Sequence, residues 1–160
     1  MDVEKTQIRR AEPGDEELLA KDFWHPLAKE MEKYHEVNRL KKNAEEDAVS
    51  AFEDRIKDES YTFFFLEIDS EEVGYISLEE GNRSSREEEE YMAVIGLFVK
   101  ERYREEGLGT ELMSRAKEFA QEKDVDYMMV SAEWQNDRAR KFYNENGFEE
   151  KKVKFVQMVD

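Results

Sequence analysis

The passage that most constrains this chain is a strand, a loop and a helix in its second half. Residues 91–99 (YMAVIGLFV) are the most apolar strand candidate of the sequence. The loop KERYREEGLGT, residues 100–110, follows, with glycines at the alternate positions 107 and 109. From Leu108 to about Lys123, Leu112, Met113, Ala116, Phe119 and Ala120 then fall on one face of an amphipathic helix. A chain that runs from such a strand into such a helix must pack helix on sheet.

The rest of the pattern agrees. Residues 3–10 alternate weakly as a first strand, Pro13-Gly14 mark a turn, and Asp15, Glu16 and Glu17 suit the first turn of a helix. Helical spacing runs from Leu18 to about Leu40 through Phe23, Leu27, Met31, Tyr34 and Val37, with Pro26 expected to kink or split it. A second helix is expected over about 44–57. Residues 61–68 (YTFFFLEI) are apolar on both faces, as in a central strand, and 73–78 alternate as the hairpin partner. Residues 81–90 (GNRSSREEEE) read as a mobile loop and Tyr127–Ala132 as a strand. A short helix is expected from Asn136 to the Asn146-Gly147 pair, and one or two final strands over Phe148–Met158. The order β, α, α, β, β, β, α, β, α, β predicts one mixed α/β domain over residues 1–160.

Composition removes whole classes of function. The absence of cysteine excludes a disulfide scaffold, thiolate catalysis and cysteine-ligated zinc, and His25 and His35 are the only imidazoles. The 41 acidic against 25 basic side chains leave a net charge of −16, which argues against nucleic-acid and anionic-membrane partners. No apolar run reaches the roughly 18–20 residues that span a bilayer. The opening MDVEKTQIRR lacks the apolar stretch of a signal peptide, so a soluble, cytoplasmic protein is expected. The acid excess itself reads as solubility, as adaptation to a salty cytoplasm, or as attraction for a cationic substrate.

Chemistry concentrates in two segments. At the helix start near Leu108, free N–H groups and the positive dipole end make an anion site. Gly107 and Gly109 keep side chains away from those amides, and Arg104 can add charge-assisted bonds. The same residues equally describe an ordinary strand–loop–helix turn with glycines for packing. No Gly-Lys-Ser/Thr follows, which excludes a P-loop, and Leu112 stands where the third glycine of a GxGxxG fingerprint belongs. The second segment is residues 130–148, VSAEWQNDRARKFYNENGF. Asn136 suits an N-cap, and Ala139, Phe142 and Tyr143 follow at helical spacing. Taken alone, Phe142, Tyr143 and Phe148 are core aromatics.

Taken in order, the two segments resemble the GNAT superfamily of acetyl-CoA-dependent N-acyltransferases. Its R/Q-x-x-G-x-G/A pattern after a strand ending L-x-V is present as Leu97-Phe98-Val99 and Arg104-Glu105-Glu106-Gly107-Leu108-Gly109. Its later N-x-x-A-x-x-F-Y-x-x-x-G-F is present as Asn136, Ala139, Phe142-Tyr143 and Gly147-Phe148. The resemblance implies an α/β fold with a mixed, mostly antiparallel central sheet of six or seven strands, flanked by about four helices. The sheet would be splayed where the strands ending near Val99 and Ala132 diverge to hold the cofactor. It also implies acetyl-CoA as co-substrate and no metal. Backbone groups of Leu97, Phe98 and Val99 would pair with the pantetheine arm. Amides over Arg104, Glu105, Glu106, Gly107, Leu108, Gly109 and Thr110 would hold the pyrophosphate, and Asn136 would contact the arm. Tyr143 would protonate the leaving thiolate. Many relatives carry a small residue after the first Arg; Glu105 and Glu106 follow here, and their carboxylates must turn away from phosphate.

Transfer by direct attack of an amine needs a neutral nucleophile, stabilisation of a tetrahedral intermediate, and a proton for the thiolate. Several relatives place a carboxylate base on the strand before the loop. By spacing that position is Ala93, with Tyr91 on the same face, so the base is missing. Glu133 is the expected substitute, against a plain surface acid or a relay through water. Glu90 and the rest of the Glu87–Glu90 run are less well placed. His25 and His35 fall on the early helices, which border the acceptor site in the family. Trp134 offers either a cation–π face or a packing surface. The implied function is an N-acetyltransferase acting on a primary amine, either a small cationic amine or a protein or peptide amine. The missing strand carboxylate favours the alternative, a non-catalytic acyl-CoA-binding regulatory module. The terminal strand, residues 155–158, would pair across a homodimer.

The charge is unevenly spread. Residues 99–160, which hold both cofactor motifs, carry 12 basic and 14 acidic side chains; residues 1–98 carry 13 and 27. The acid surplus therefore belongs to the half expected to shape the acceptor site, which points to a cationic amine.

Overall fold

A computed structural model of the chain describes residues 5–160 and arranges five strands in one mixed, open sheet. β1 (Thr6–Arg10), β2 (Tyr61–Ile68), β3 (Glu71–Asn82) and β4 (Glu90–Val99) pair antiparallel in sequence order, and β5 (Tyr127–Val130) joins β4 in parallel. Residues 3 and 4 of the expected first strand lie outside the described residues.

The double-sided character of β2 is met by two cores. Phe64, Leu66 and Ile68 pack with Leu112, Met113, Ala116 and Phe119 of α3 (Leu108–Glu122). Phe63 and Phe65 turn the other way, against Leu19, Ala20 and Phe23 and against Ala48 and Phe52 of α2 (Ala44–Arg55). Period-two alternation on a strand covered on both faces gives this division directly. Arg9 ties β1 to its neighbours and to the first helix. Its Nε donates to Glu67 at 2.7 Å, its Nη1 to Asp15 at 2.9 Å and its Nη2 to Glu72 at 3.0 Å.

A β-bulge sets the geometry of β4. Leu78 pairs with Val94 but Ser77 pairs with Gly96, so Ile95 is an extra residue on this strand. One inserted residue reverses the alternation. Met92 and Val94 belong to the α3 core, whereas after the bulge Phe98 belongs to the opposite core and Leu97 and Val99 lie against α3. Pairing of β4 with β5 also stops at this point, at Val94 opposite Val130.

The first helical region departs from the expected long helix. Before α1 (His25–Met31), the stretch Leu18–Trp24 is π-helical, and the His25 N–H bonds the Ala20 carbonyl five residues back. This wider turn stands next to Pro26, which brings no N–H to an α-helical ladder. Past Met31 the chain forms two 3₁₀ turns, Glu32–Tyr34 and Glu36–Asn38, instead of helix to Leu40. They are separated by the extended residue His35, whose Nδ1 accepts the Val37 N–H at 3.1 Å.

The strands expected over Phe148–Met158 are absent. Every residue from 149 to 160 is exposed, with Phe155 at 91% and Val159 at 93%. Alternating Lys and apolar residues are a β pattern, but a strand exists only where another backbone completes its hydrogen bonds. The described sheet therefore has five strands rather than six or seven. Likewise β5 ends at Val130 rather than Ala132.

Gly96, beside the bulge, leaves room for a neighbouring ring. A Cβ there would stand 2.6 Å from the Tyr75 hydroxyl. Gly96→Ala is expected to lower the unfolding free energy by about 1–3 kcal/mol, the usual range for overpacking a core. Urea denaturation checks this, and adding Tyr75→Phe should restore part of the loss.

Candidate active site

The bulge opens a cleft in the sheet. Beyond Val94, β4 runs on to Val99 with β3 on one side and no strand on the other. Backbone groups on that free edge, among Leu97, Phe98 and Val99, are exposed to whatever enters the gap. The Val99 carbonyl is partly engaged, accepting from Arg104 Nε at 2.7 Å.

The loop after β4 presents a row of unpaired donors. Within the described residues, no backbone amide from Glu105 to Thr110 donates a hydrogen bond, and the first bond into α3 runs from the Glu111 N–H to the Gly107 carbonyl. Gly107 is the N-cap with φ +79°, a left-handed conformation that few side chains tolerate. Gly109 has a different reason: a Cβ there would approach the Phe142 ring to 3.3 Å, so this glycine lets α4 (Asp137–Glu145) pack closely. Glu105 and Glu106 are both exposed. The Arg104 guanidinium turns away from these amides; its Nη2 donates to Glu30 of α1 at 2.7 Å, and it lies 5.0 Å over the Phe98 ring.

Asn136 caps α4, its Oδ1 accepting the Ala139 N–H at 3.1 Å. Tyr143, one turn further on, stands edge-on to Phe142 and Phe148 and packs against the α3 core. Burial pushes its phenol above the ordinary range near 10, so the hydroxyl stays protonated through neutral pH. The Lys117 ammonium of α3 donates to the Asn146 carbonyl and pins the end of α4.

Glu133 lies on the other face. It lines a cleft of about 300 Å³ with Trp24, Leu27, Ala28 and Met31 of the first helix, Asn38, Tyr75 of β3 and Ile95, the bulge residue. Its carboxylate makes no hydrogen bond or ion pair among the described residues. Glu133 and Tyr143 thus approach the splayed part of the sheet from opposite faces. The structure does not bring them together on one surface.

Several other candidates have structural partners. His25 Nδ1 is 3.3 Å from Glu45, and neither histidine lines the cleft. Trp134 is 60% exposed, and one of its faces carries Arg140 at 4.0 Å, leaving it neither a core residue nor an open cation site. Ala93 is buried, and the Glu90 N–H is held by Asp126 at 2.9 Å. Among the described residues no group of three or more His, Asp or Glu is arranged to hold a metal ion. The residues missed from sequence are Tyr75, Ile95, Trp24, Leu27, Met31 and Asn38. Tyr75 sits in a strand pattern that reads only as core, and its one sequence signal is the glycine at 96, which makes sense only once the bulge is known.

Comparison with known proteins gives the same assignment. Residues 24–148 match the model of the acetyltransferase (GNAT) family. An uncharacterized N-acetyltransferase of Archaeoglobus fulgidus is 26% identical over 137 residues, covering 86% of this chain and 88% of that protein. An uncharacterized N-acetyltransferase of Methanocaldococcus jannaschii is 31% identical over 91 residues, covering 57% of this chain but only 40% of that relative. The aminoglycoside N-acetyltransferase AAC(6')-Iy, solved in complex with CoA, shares the fold with a TM-score of 0.73 at 15% identity, covering 96% of this chain and 94% of that one. With its family model spanning α1, α2, the splayed strand and the unpaired amides of the loop, the chain belongs to the GNAT family of acetyltransferases.

Proposed function

We propose that this protein transfers an acetyl group from acetyl-CoA to a primary amine, either a small cationic amine or a protein or peptide amine. The observation that carries the reading is the run of unpaired amides over Glu105–Thr110, next to the free edge of β4. A polyanion such as the pyrophosphate of coenzyme A matches that row of donors. The extended pantetheine arm matches a strand edge with no partner, and Asn136 has a free amide N–H₂ to offer it. The complex of AAC(6')-Iy with CoA agrees with this cofactor.

In this scheme acetyl-CoA supplies the thioester. Backbone N–H groups on the free edge of β4 steady the oxygen that becomes negative. Glu133 takes a proton from the acceptor ammonium, directly or through one water, and the freed nitrogen attacks the thioester carbon. Tyr143 gives its hydroxyl proton to the departing sulfur as the C–S bond breaks, and the second proton shed by the former amine nitrogen returns through water to the phenolate. Arg104, held by Val99 and Glu30, supports the loop rather than facing the phosphates, so the negative charge is met by backbone dipoles.

Among the described residues no helix is long and apolar enough to cross a membrane, and the site of action in this proposal is the cytoplasm. The apolar side chains of the exposed tail, Val153, Phe155, Val156 and Met158, favour a homodimer in which this segment finds a partner.

Acetyl-CoA at about 100 times its dissociation constant is expected to stabilise the fold by roughly 2.7 kcal/mol, visible as a rise in melting temperature. Tyr143→Phe should lower kcat by about 100-fold or more, with little change in that ligand-induced rise. The alkaline limb of kcat should lie above pH 10 or so, because burial raises the phenol, and should vanish in the variant. Tight acetyl-CoA binding with no turnover of any amine would instead identify a non-catalytic binding module. Removing residues 149–160 should shift the mass seen by light scattering from dimer to monomer.

A further inference from the structure

We infer that the acceptor is a primary amine carrying a single positive charge on an apolar body, and that Tyr75 positions its nitrogen together with Glu133. The inference rests on the acetyltransferase reading above.

The cleft beneath α1 is walled by Trp24, Leu27, Ala28, Met31, Tyr75 and Ile95, and Glu133 is the one charged side chain in its lining. One carboxylate balances one ammonium. The acid surplus of the first half does not open onto this space: Glu133 is the one acid in its lining, and four acids of the neighbouring helices are paired elsewhere. Asp22 lies 3.6 Å from Lys100, Glu30 pairs with Arg104 at 2.7 Å, Glu32 with Lys29 at 3.0 Å, and Glu45 with His25 at 3.3 Å. A polyamine or an aminoglycoside entering here would press further ammonium groups against Leu27, Met31 and Ile95, where no carboxylate answers them. An alkyl or aromatic body meets apolar wall instead, and Ile95 is 45% exposed there because the bulge turns it outward.

Tyr75 supplies the second, independent observation. It is 1% exposed and stacked on Phe23 at 5.3 Å, in a cluster otherwise built from Phe63, Phe65 and Phe98. Phenylalanine would fill that space without a polar atom. The Tyr75 hydroxyl instead reaches the backbone of Gly96, next to Ile95, and makes no hydrogen bond among the described residues. The ring is buried while its oxygen reaches the cleft that Tyr75 lines, so an acceptor nitrogen entering there can take the place of water on it. Burial also raises its pKa well above the ordinary phenol range, so it remains neutral and adds no charge to the cleft. The phenol oxygen and the Glu133 carboxylate together offer the acceptor nitrogen two hydrogen-bond acceptors at the open edge of β4.

The test is thiol release from acetyl-CoA by the full chain with four amines: phenethylamine, a tripeptide beginning with Phe, spermidine and kanamycin. Either apolar amine should show kcat/KM at least tenfold above both polycations, and comparing the two apolar arms tells a free amine from a peptide N-terminus. Ile95→Glu should move the preference toward spermidine. Tyr75→Phe should raise KM for the preferred amine about tenfold, as expected for one lost hydrogen bond, while KM for acetyl-CoA and the melting temperature hold. A purely structural Tyr75 would lower the melting temperature and leave the amine KM alone, which overturns its positioning role. Spermidine or kanamycin as the preferred substrate overturns the substrate class while leaving the acetyltransferase reading intact. No turnover of any amine, with acetyl-CoA still raising the melting temperature, overturns that reading and this proposal together.

Discussion

The extra residue at Ile95 is the constraint on which the candidate site depends. Side chains on a strand alternate strictly, so one inserted residue sends everything beyond it to the other face. Here it moves Phe98 from the α3 side to the side of the first helix, and it coincides with the last pairing between β4 and β5. The result is a strand edge with unsatisfied backbone groups, opened within an otherwise well-paired sheet. Such an edge invites another backbone or an amide-bearing ligand to complete it. Gly96 follows from the same event, since the bulge brings the Tyr75 hydroxyl to where a Cβ would otherwise stand.

Charge in this protein is arranged locally. The −16 of the whole chain suggested a field drawing cations to the acceptor side. Around the early helices, however, Asp22, Glu30, Glu32 and Glu45 are paired with Lys100, Arg104, Lys29 and His25, and Arg9 alone contacts three carboxylates. The pairs of Asp22 with Lys100 and of Glu30 with Arg104 hold the early helices to the segment after β4. Glu133, the one acid lining the cleft, has no partner among the described residues. Arg104 carries the most instructive change of role. Its motif position suggests a phosphate ligand, but its guanidinium bridges Val99 and Glu30 and so joins α1 to the loop after β4.

Much of the architecture was legible because local patterns and burial agree. The YTFFFLEI run is buried on both faces, as its lack of alternation implies, and α3 buries the stripe that its periodicity marks. The helix from Leu18 was legible to Met31 and then failed, because apolar spacing through Tyr34 and Val37 continues past the point where His35 adopts an extended backbone. The tail failed for a related reason. Val153 and Phe155 alternate with lysines as a strand would, yet no neighbour among the described residues offers them a backbone. The reason for Gly109 also lay beyond the motif, since it is the ring of Phe142, more than thirty residues on, that requires it.

By itself the sequence determined the family, the order of elements as far as α4, and the glycine-bearing loop that leads from β4 into α3. Those are properties of contiguous residues: a glycine at a left-handed position, a helix start, a periodic apolar face. Only the tertiary structure decided where β4 and β5 part, which acids remain unpaired, and that Tyr75 and Glu133 line one cleft while Tyr143 approaches from the opposite face. These depend on strand register and on contacts between residues far apart in the chain, and one residue more or less in β4 would reverse them without altering any motif.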